Sequence, residues 1–319
     1  MKRFISLIVV LFLFVARITV SQASEGVAYG GPLGGTDMGS AYLPPQPGFY
    51  GGVIYARLSG SKLNDKSGKE IRGSNVKYSG DLAGVGLLYV YPFQLGGGAI
   101  ASGLIQPLTL SGNLKVFGQE QSYSGMGDLY ADLFSWSKHI GGAGIGPAGA
   151  PLPYGLTVKA SASIIFPTGE YNEHNAISPG ANKYFFLPNV AFTYLTSPNM
   201  LGEGFEMSTT LWYQSALRNR ATDIQSGDVV NVDFSLTQRS GLWQYGLAGQ
   251  YAKQIEDDTF HGESLEPDGN RMQLASVGPI VSRMFPEVGL MVKAKGSVNV
   301  KAVNGMSINS LTLSLVKKF

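Results

Sequence analysis

The chain has 319 residues, a formal charge of +2 and no cysteine. So even a balance lacks the basic surplus that binding to phosphate backbones requires, which excludes nucleic acid as a partner. The missing thiol excludes Cys-based catalysis and Cys-ligated metal.

Lys2 and Arg3 open the chain and an unbroken apolar run, Phe4–Val15, follows. Ser21-Gln22-Ala23 then supplies small residues where a signal peptidase reads. The pattern predicts a secretory leader over 1–23, cleaved after Ala23, because the apolar run is too short to span a bilayer as a helix. Cleavage removes three basic residues and no acid, taking the formal charge from +2 to −1. Residues 24–46 carry Gly30-Gly31-Pro32-Leu33-Gly34-Gly35 and Pro44-Pro45 with no periodicity. They form a separate segment that either trails into the periplasm or tucks into the fold as a plug.

Beyond it, 47–319 alternates apolar and polar residues, the period that gives a strand two different faces. Leu156, Val158, Ala160, Ala162, Ile164 and Phe166 oppose Thr157, Lys159, Ser161 and Ser163. Val230, Val232, Phe234 and Leu236 oppose Asn231, Asp233, Ser235 and Thr237, and the closing stretch sets Leu311, Leu313, Leu315 and Phe319 against Thr312, Ser314 and Lys318. Twelve such stretches are predicted: 47–58, 80–91, 98–111, 127–138, 154–166, 184–196, 205–217, 228–239, 243–254, 271–283, 288–300 and 306–319.

A soluble sandwich would alternate in the same way. The polar faces here, however, are Ser, Thr, Asn and Gln with scattered charges, and only 14% of residues are charged, against roughly 25% in an ordinary globular chain. Aromatic residues gather near strand ends, as at Phe49 and Tyr50, Tyr89 and Tyr91, Tyr184 to Phe186, and Trp243 and Tyr245. With the terminal Phe319, these features predict an all-β transmembrane antiparallel barrel of about twelve strands in a Gram-negative outer membrane. An even strand count places the long connections Ser59–Ser79, Ser111–Gly125, Pro167–Lys183, Leu217–Gly227 and Gln254–Asn270 outside. Mostly short Gly/Pro turns then face the periplasm, and the long stretch after His139 is the exception.

Extending the polar parity places Arg57, Asp128, Asp132, Lys159, Glu206, Asp233, Lys293 and Lys295 in the lumen, with Tyr130, Phe134, Trp136 and Trp212 as aromatics along a substrate path. Mixed signs argue against strong ion selectivity. They suggest opposite charges paired across a constriction, Asp128 and Asp132 facing Lys293 and Lys295. No catalytic residue, metal site or cofactor is expected. His139, His174 and His261 fall in turns or loops, and Glu256-Asp257-Asp258 lacks the ordered ligand spacing of a cation site.

Gly127-Asp128-Leu129, Pro167-Thr168-Gly169-Glu170-Tyr171 and Leu187-Pro188-Asn189-Val190-Ala191-Phe192-Thr193-Tyr194 occur in this order. In these motifs the chain resembles the outer-membrane family named for the meta-pathway of phenol degradation, over about Gly48 to Phe319. The resemblance implies a transporter of small apolar or aromatic solutes, and it brings no catalytic residues. A general porin, a rim enzyme and a purely structural barrel are the alternatives. Outer-membrane lipid and the barrel assembly machinery, acting on the strand that ends in Phe319, are the other expected partners.

Overall fold

The computed structural model describes residues 35–149 and 151–319. The expected leader and most of the segment after it lie outside these residues.

Twelve antiparallel strands close on themselves: β1 (Gly48–Asn64), β2 (Lys77–Leu95), β3 (Gly98–Val116), β4 (Leu129–Gly141), β5 (Gly155–Phe166), β6 (Phe185–Leu195), β7 (Gly204–Ala216), β8 (Val229–Ser240), β9 (Trp243–Gln254), β10 (Gln273–Phe285), β11 (Leu290–Val303) and β12 (Gly305–Lys318). Each pairs with its chain neighbours, and β12 pairs with β1 from Tyr50↔Lys318 to Asn64↔Gly305. Closure leaves no edge, which a sheet in hydrocarbon requires because nothing there satisfies a free backbone group. The end residue joins the seal, Phe319 donating its N–H to the Phe49 carbonyl at 3.0 Å.

Alternation becomes inside and outside as expected. On β6, Phe185, Leu187, Asn189, Ala191, Thr193 and Leu195 are buried, while Phe186, Val190, Phe192 and Tyr194 are 39–45% exposed. At the short-turn end, rings of Phe49, Tyr89, Tyr91 and Phe93 follow one another at 4.7, 5.0 and 5.5 Å, an aromatic belt at headgroup height.

Two connections depart from expectation. Ser111–Gly125 is not a loop: β3 runs on to Val116 and turns at Phe117-Gly118 into a ribbon strand, Gln119–Met126, that pairs back onto it. Both turn residues have positive φ, 49° and 80°, as a two-residue hairpin turn matched to strand twist demands. After His139, Gly144–Ile145 pairs with Pro151–Leu152 around a 3-10 turn at Pro147–Gly149, so the long periplasmic connection is a small hairpin of its own.

Candidate functional site

The interior is reached by parity, and parity fails at one point. Between Asp132 and Phe134 the register of β4 against β5 slips by one residue. Leu133 is the extra residue of a β-bulge, and every side chain beyond it changes face. Tyr130 and Asp132 therefore point inward together with Ser135 and Ser137, whereas Leu133 and Phe134 are 53% and 40% exposed. Trp136 goes outward with Phe134 and donates its indole N–H to the Leu95 carbonyl at 2.7 Å. The assignment of Phe134 and Trp136 to the lumen is thus corrected: both belong to the outer wall.

Arg57 is corrected in the same way. It shares a face with Val53 and Tyr55 and stands opposite Leu311, outside the barrel. There it holds Asp81 at 2.5 Å, and Asp81 also accepts from Tyr55 and Ser111.

Asp128 lies just before β4 and does not enter the lumen. Its Oδ1 takes the Gly169 N–H at 2.8 Å and its Oδ2 the Ala181 N–H at 2.7 Å, fastening the Pro167–Lys183 connection to the rim. Burial raises its carboxyl above the usual value despite these bonds. Asp132 does face inward, but its partners are Ser135 at 2.5 Å and Ser163 at 3.1 Å, with Lys159 near enough to feel its charge.

The expected pairing of these acids with Lys293 and Lys295 does not occur. Both lysines point inward from β11, and the carboxylate between them is Asp37, at 2.6 and 3.0 Å. Asp37 is buried, which by itself would raise its carboxyl, but the two ammonium groups together hold it below the usual value. Residues 35–42 are bonded to inward-facing side chains on several strands. Thr36 donates to Asp233 through Oγ1 at 2.5 Å and accepts from the Trp212 indole at 3.0 Å. Gly39 N–H reaches Glu206 at 2.9 Å and Ala41 N–H reaches Thr193 at 3.1 Å, while Ser137 donates to the Ala41 carbonyl at 2.6 Å.

Glu206 organises the short-turn end of the lumen. Fully buried, it receives Arg239 Nε at 2.9 Å and Nη2 at 2.5 Å, with Gln244 at 2.8 Å on its other oxygen. A carboxylate so placed survives burial only because every lone pair is met by a donor. Arg239 also lies over the Tyr42 ring, 5.8 Å from its centroid.

Towards the long-loop end the interior turns apolar. Ile165, Phe185, Leu187, Trp212 and Ala216 form a buried cluster joined by Tyr130 and Ala181. A second cluster, Val229, Ala252 and Met272, sits on the adjoining wall. Three outer connections are bonded together around this region. Asn219 donates to Tyr171 at 3.0 Å and accepts from Asn182 at 2.9 Å. Lys183 reaches Ser226 at 2.8 Å and lies 5.7 Å from the Phe185 centroid. Asp258, raised by burial, takes Gly227 N–H at 2.9 Å and Gln254 at 2.7 Å on Oδ1 and Asn270 at 2.8 Å on Oδ2.

Of the twelve expected lumen residues, Asp132, Lys159, Glu206, Asp233, Lys293, Lys295, Tyr130 and Trp212 lie on the inner face. Sequence reasoning missed Asp37, Phe185, Leu187 and Ile165. Phe185 sits in the aromatic run Tyr184–Phe186 that was read as belt, and Leu187 follows it. The apolar residues on both parities there were the available sign that the inward face is apolar at this strand end, with Phe185 and Leu187 buried and Phe186 outward.

The family model described as "Putative MetA-pathway of phenol degradation" matches residues 60–315. A search of curated protein sequences returns no match. Among solved structures, an outer membrane channel from Pseudomonas putida F1 superposes with a TM-score of 0.72 at 15% identity, covering 88% of this chain and 98% of that one. The toluene transporter TodX of P. putida gives 0.41 at 11% identity, over 88% and 91%, and the transport unit of the autotransporter AIDA-I from Escherichia coli gives 0.45 at 11%, over 88% and 94%. The first of these shares the barrel fold, and with the family model spanning most of its length, this chain belongs to the phenol-degradation MetA-pathway family of outer-membrane barrels.

Proposed function

We propose that this protein is an outer-membrane channel for passive uptake of small hydrophobic or aromatic compounds. The observation that carries the reading is the apolar cage of Tyr130, Ile165, Phe185, Leu187 and Trp212 inside the outer half of the barrel, beneath interlocked loops. An apolar solute entering there leaves water for ring faces and aliphatic carbon, at about 25 cal/mol per Å² of buried apolar surface. Nearer the periplasm, the paired charges offer hydrated ions no single-sign ring. Segment 35–42 acts as a plug in this reading, held by the Asp37 and Glu206 contacts, and passage requires it to shift. The leader over 1–23 directs export, and the strand ending in Phe319 is presented to the assembly machinery.

A weakly selective porin is the second reading. Asn189 Oδ1, Thr210 Oγ1, Asn231 Oδ1, Ser235 Oγ and Gln250 Oε1 are buried without a protein partner, and such atoms call for water in the lumen. Proteoliposome assays separate the two: entry of a labelled small aromatic without swelling in sugar solution supports the first, and fast sugar-driven swelling supports the second. The rim-enzyme alternative would require turnover by the purified barrel.

A further inference from the structure

The outside of the barrel carries a charge concentration that transport does not use. From Arg57 to Lys77 there are six basic residues against two acids, Asp65 and Glu70. This excess lies on the first outer connection and its flanking strand ends. Lys62, Lys77, Lys115 and Lys301 are exposed, and no ion pair joins any of them to an acid among the described residues. Lys77 and Lys115 stand directly opposite one another across β2 and β3, although like charges in that position repel. Their neighbours Tyr78 and Leu114 are buried, so the two lysines point away from the interior.

Beside this row the wall parts. The last paired residues of β11 and β12 are Ser297↔Ser310, whereas β12 stays paired to β1 as far as Asn64↔Gly305. Above Ser297 a backbone-to-side-chain bond, Asn299 N–H to Asn309 at 2.9 Å, spans the gap. A groove of about 610 Å³ lies here, with Lys301 on the β11 side, Lys62 on the β1 side, and Ser59, Asn64, Asn299 and Asn309 between them. Directly below, the outward wall turns apolar: Val298, Leu311 and Leu313 are 55%, 62% and 45% exposed. Two ammonium groups and several amide and hydroxyl donors thus stand immediately outward of a lipid-facing surface.

We infer that this groove and the adjoining lysine row bind the phosphate-bearing headgroup of an outer-leaflet glycolipid, whose acyl chains lie along Val298, Leu311 and Leu313. A phosphate ester supplies the anion that the lysines lack and acceptors for the Ser and Asn donors. Its lipid part explains why the basic groove opens at the boundary of the apolar band rather than at the loop tips.

The test uses the full chain in detergent with bisphosphorylated lipid A, dephosphorylated lipid A and inorganic pyrophosphate as probes, read by native mass spectrometry and by thermal shift. Bisphosphorylated lipid A is expected to be retained and to raise the unfolding temperature, and salt is expected to weaken it. Lys62→Gln with Lys301→Gln should lower its affinity about 25-fold, at roughly five-fold per lysine. Lys253→Gln, on the outward face of β9 and outside the groove lining, should leave it unchanged, and a normal shift between unheated and boiled bands confirms that both variants fold. Retention of dephosphorylated lipid A as tight as that of the phosphorylated form, or undiminished binding in the Lys62/Lys301 variant, overturns the inference. Pyrophosphate binding as tight as lipid A overturns the lipid assignment and leaves a free-phosphate site.

Discussion

Replacing Asp37 with Asn tests whether residues 35–42 hold the lumen shut. The substitution keeps the side-chain shape and one acceptor oxygen but removes the charge that Lys293 and Lys295 share at 2.6 and 3.0 Å. Removing one partner of a fully buried ion pair costs about 3–5 kcal/mol, and an exposed pair about 0–1 kcal/mol. The lysine side chains here are 20% and 13% exposed and Asp37 is 3% exposed, which places the loss near the lower end of the buried range, about 3 kcal/mol. At 1.4 kcal/mol per decade, the population of the released segment should rise about 100-fold. Because the chain has no cysteine, a single Ser40→Cys reporter reads this directly. Ser40 is buried, and a soluble thiol reagent should modify it about 100-fold faster in the Asp37→Asn background. Bilayer conductance should rise in parallel. In a background carrying Lys293→Gln and Lys295→Gln the added effect of Asp37→Asn should nearly vanish, since coupled groups are not additive. Unchanged labelling and conductance in the single variant would refute the argument and leave Asp37 as wall packing.

The remaining predictions concern pH, the cage and the wall. Because the folded Asp37 carboxyl lies below its usual value, its contribution is present above the unfolded value near 3.9 and is lost as pH falls through the folded one; Ser40→Cys labelling, taken relative to a free thiol at the same pH because the thiolate fraction itself falls with pH, should therefore be flat from neutral pH down to about 4 and rise below it. Asp258 has the opposite sign, its raised carboxyl favouring the folded loops as pH falls from neutrality, so hydrogen-exchange protection in 254–272, measured relative to the intrinsic rate at each pH, should increase on mild acidification. Trp212→Ala should lower the rate of aromatic uptake several-fold and also loosen Thr36, whereas Trp136→Ala, on the outer wall, should leave uptake unchanged; equal effects would move the path out of the cage. Leu211→Arg, on a lipid-facing residue 43% exposed, should cost roughly 2–4 kcal/mol in a refolding titration into vesicles, as charge near mid-bilayer does.

Much of the barrel was legible because its rule is local. A strand with water on one side and lipid on the other must alternate, so the faces of β5, β8 and β12 could be read residue by residue, and eight of the expected inward side chains do face inward. The strand ends were less legible. β1, β2 and β3 run past the apolar band, where both faces meet water and alternation loses its meaning. The residues read as the loop Ser111–Gly125 are polar for that reason, yet they pair as a ribbon.

What escaped the sequence depends on single events that shift a frame or bring in a distant residue. One extra residue at Leu133 reverses the face of Phe134 and Trp136, and nothing in the surrounding composition marks it, since apolar side chains suit either the belt or a cage. Arg57 was misplaced by the opposite error. Extending the polar parity to a strand end put its charge in the lumen, but at the edge of the apolar band Arg57 pairs outside with Asp81, which also accepts from Tyr55 and Ser111. The pairing of Lys293 and Lys295 illustrates the third limit. Closed barrels fix the distance between opposite walls, and side chains from β4 and β11 need a third element to meet between them. Asp37 is that element, placed 256 residues before Lys293 in a segment with no periodicity to read. Charges facing inward from two walls therefore call for an inserted chain before they call for each other.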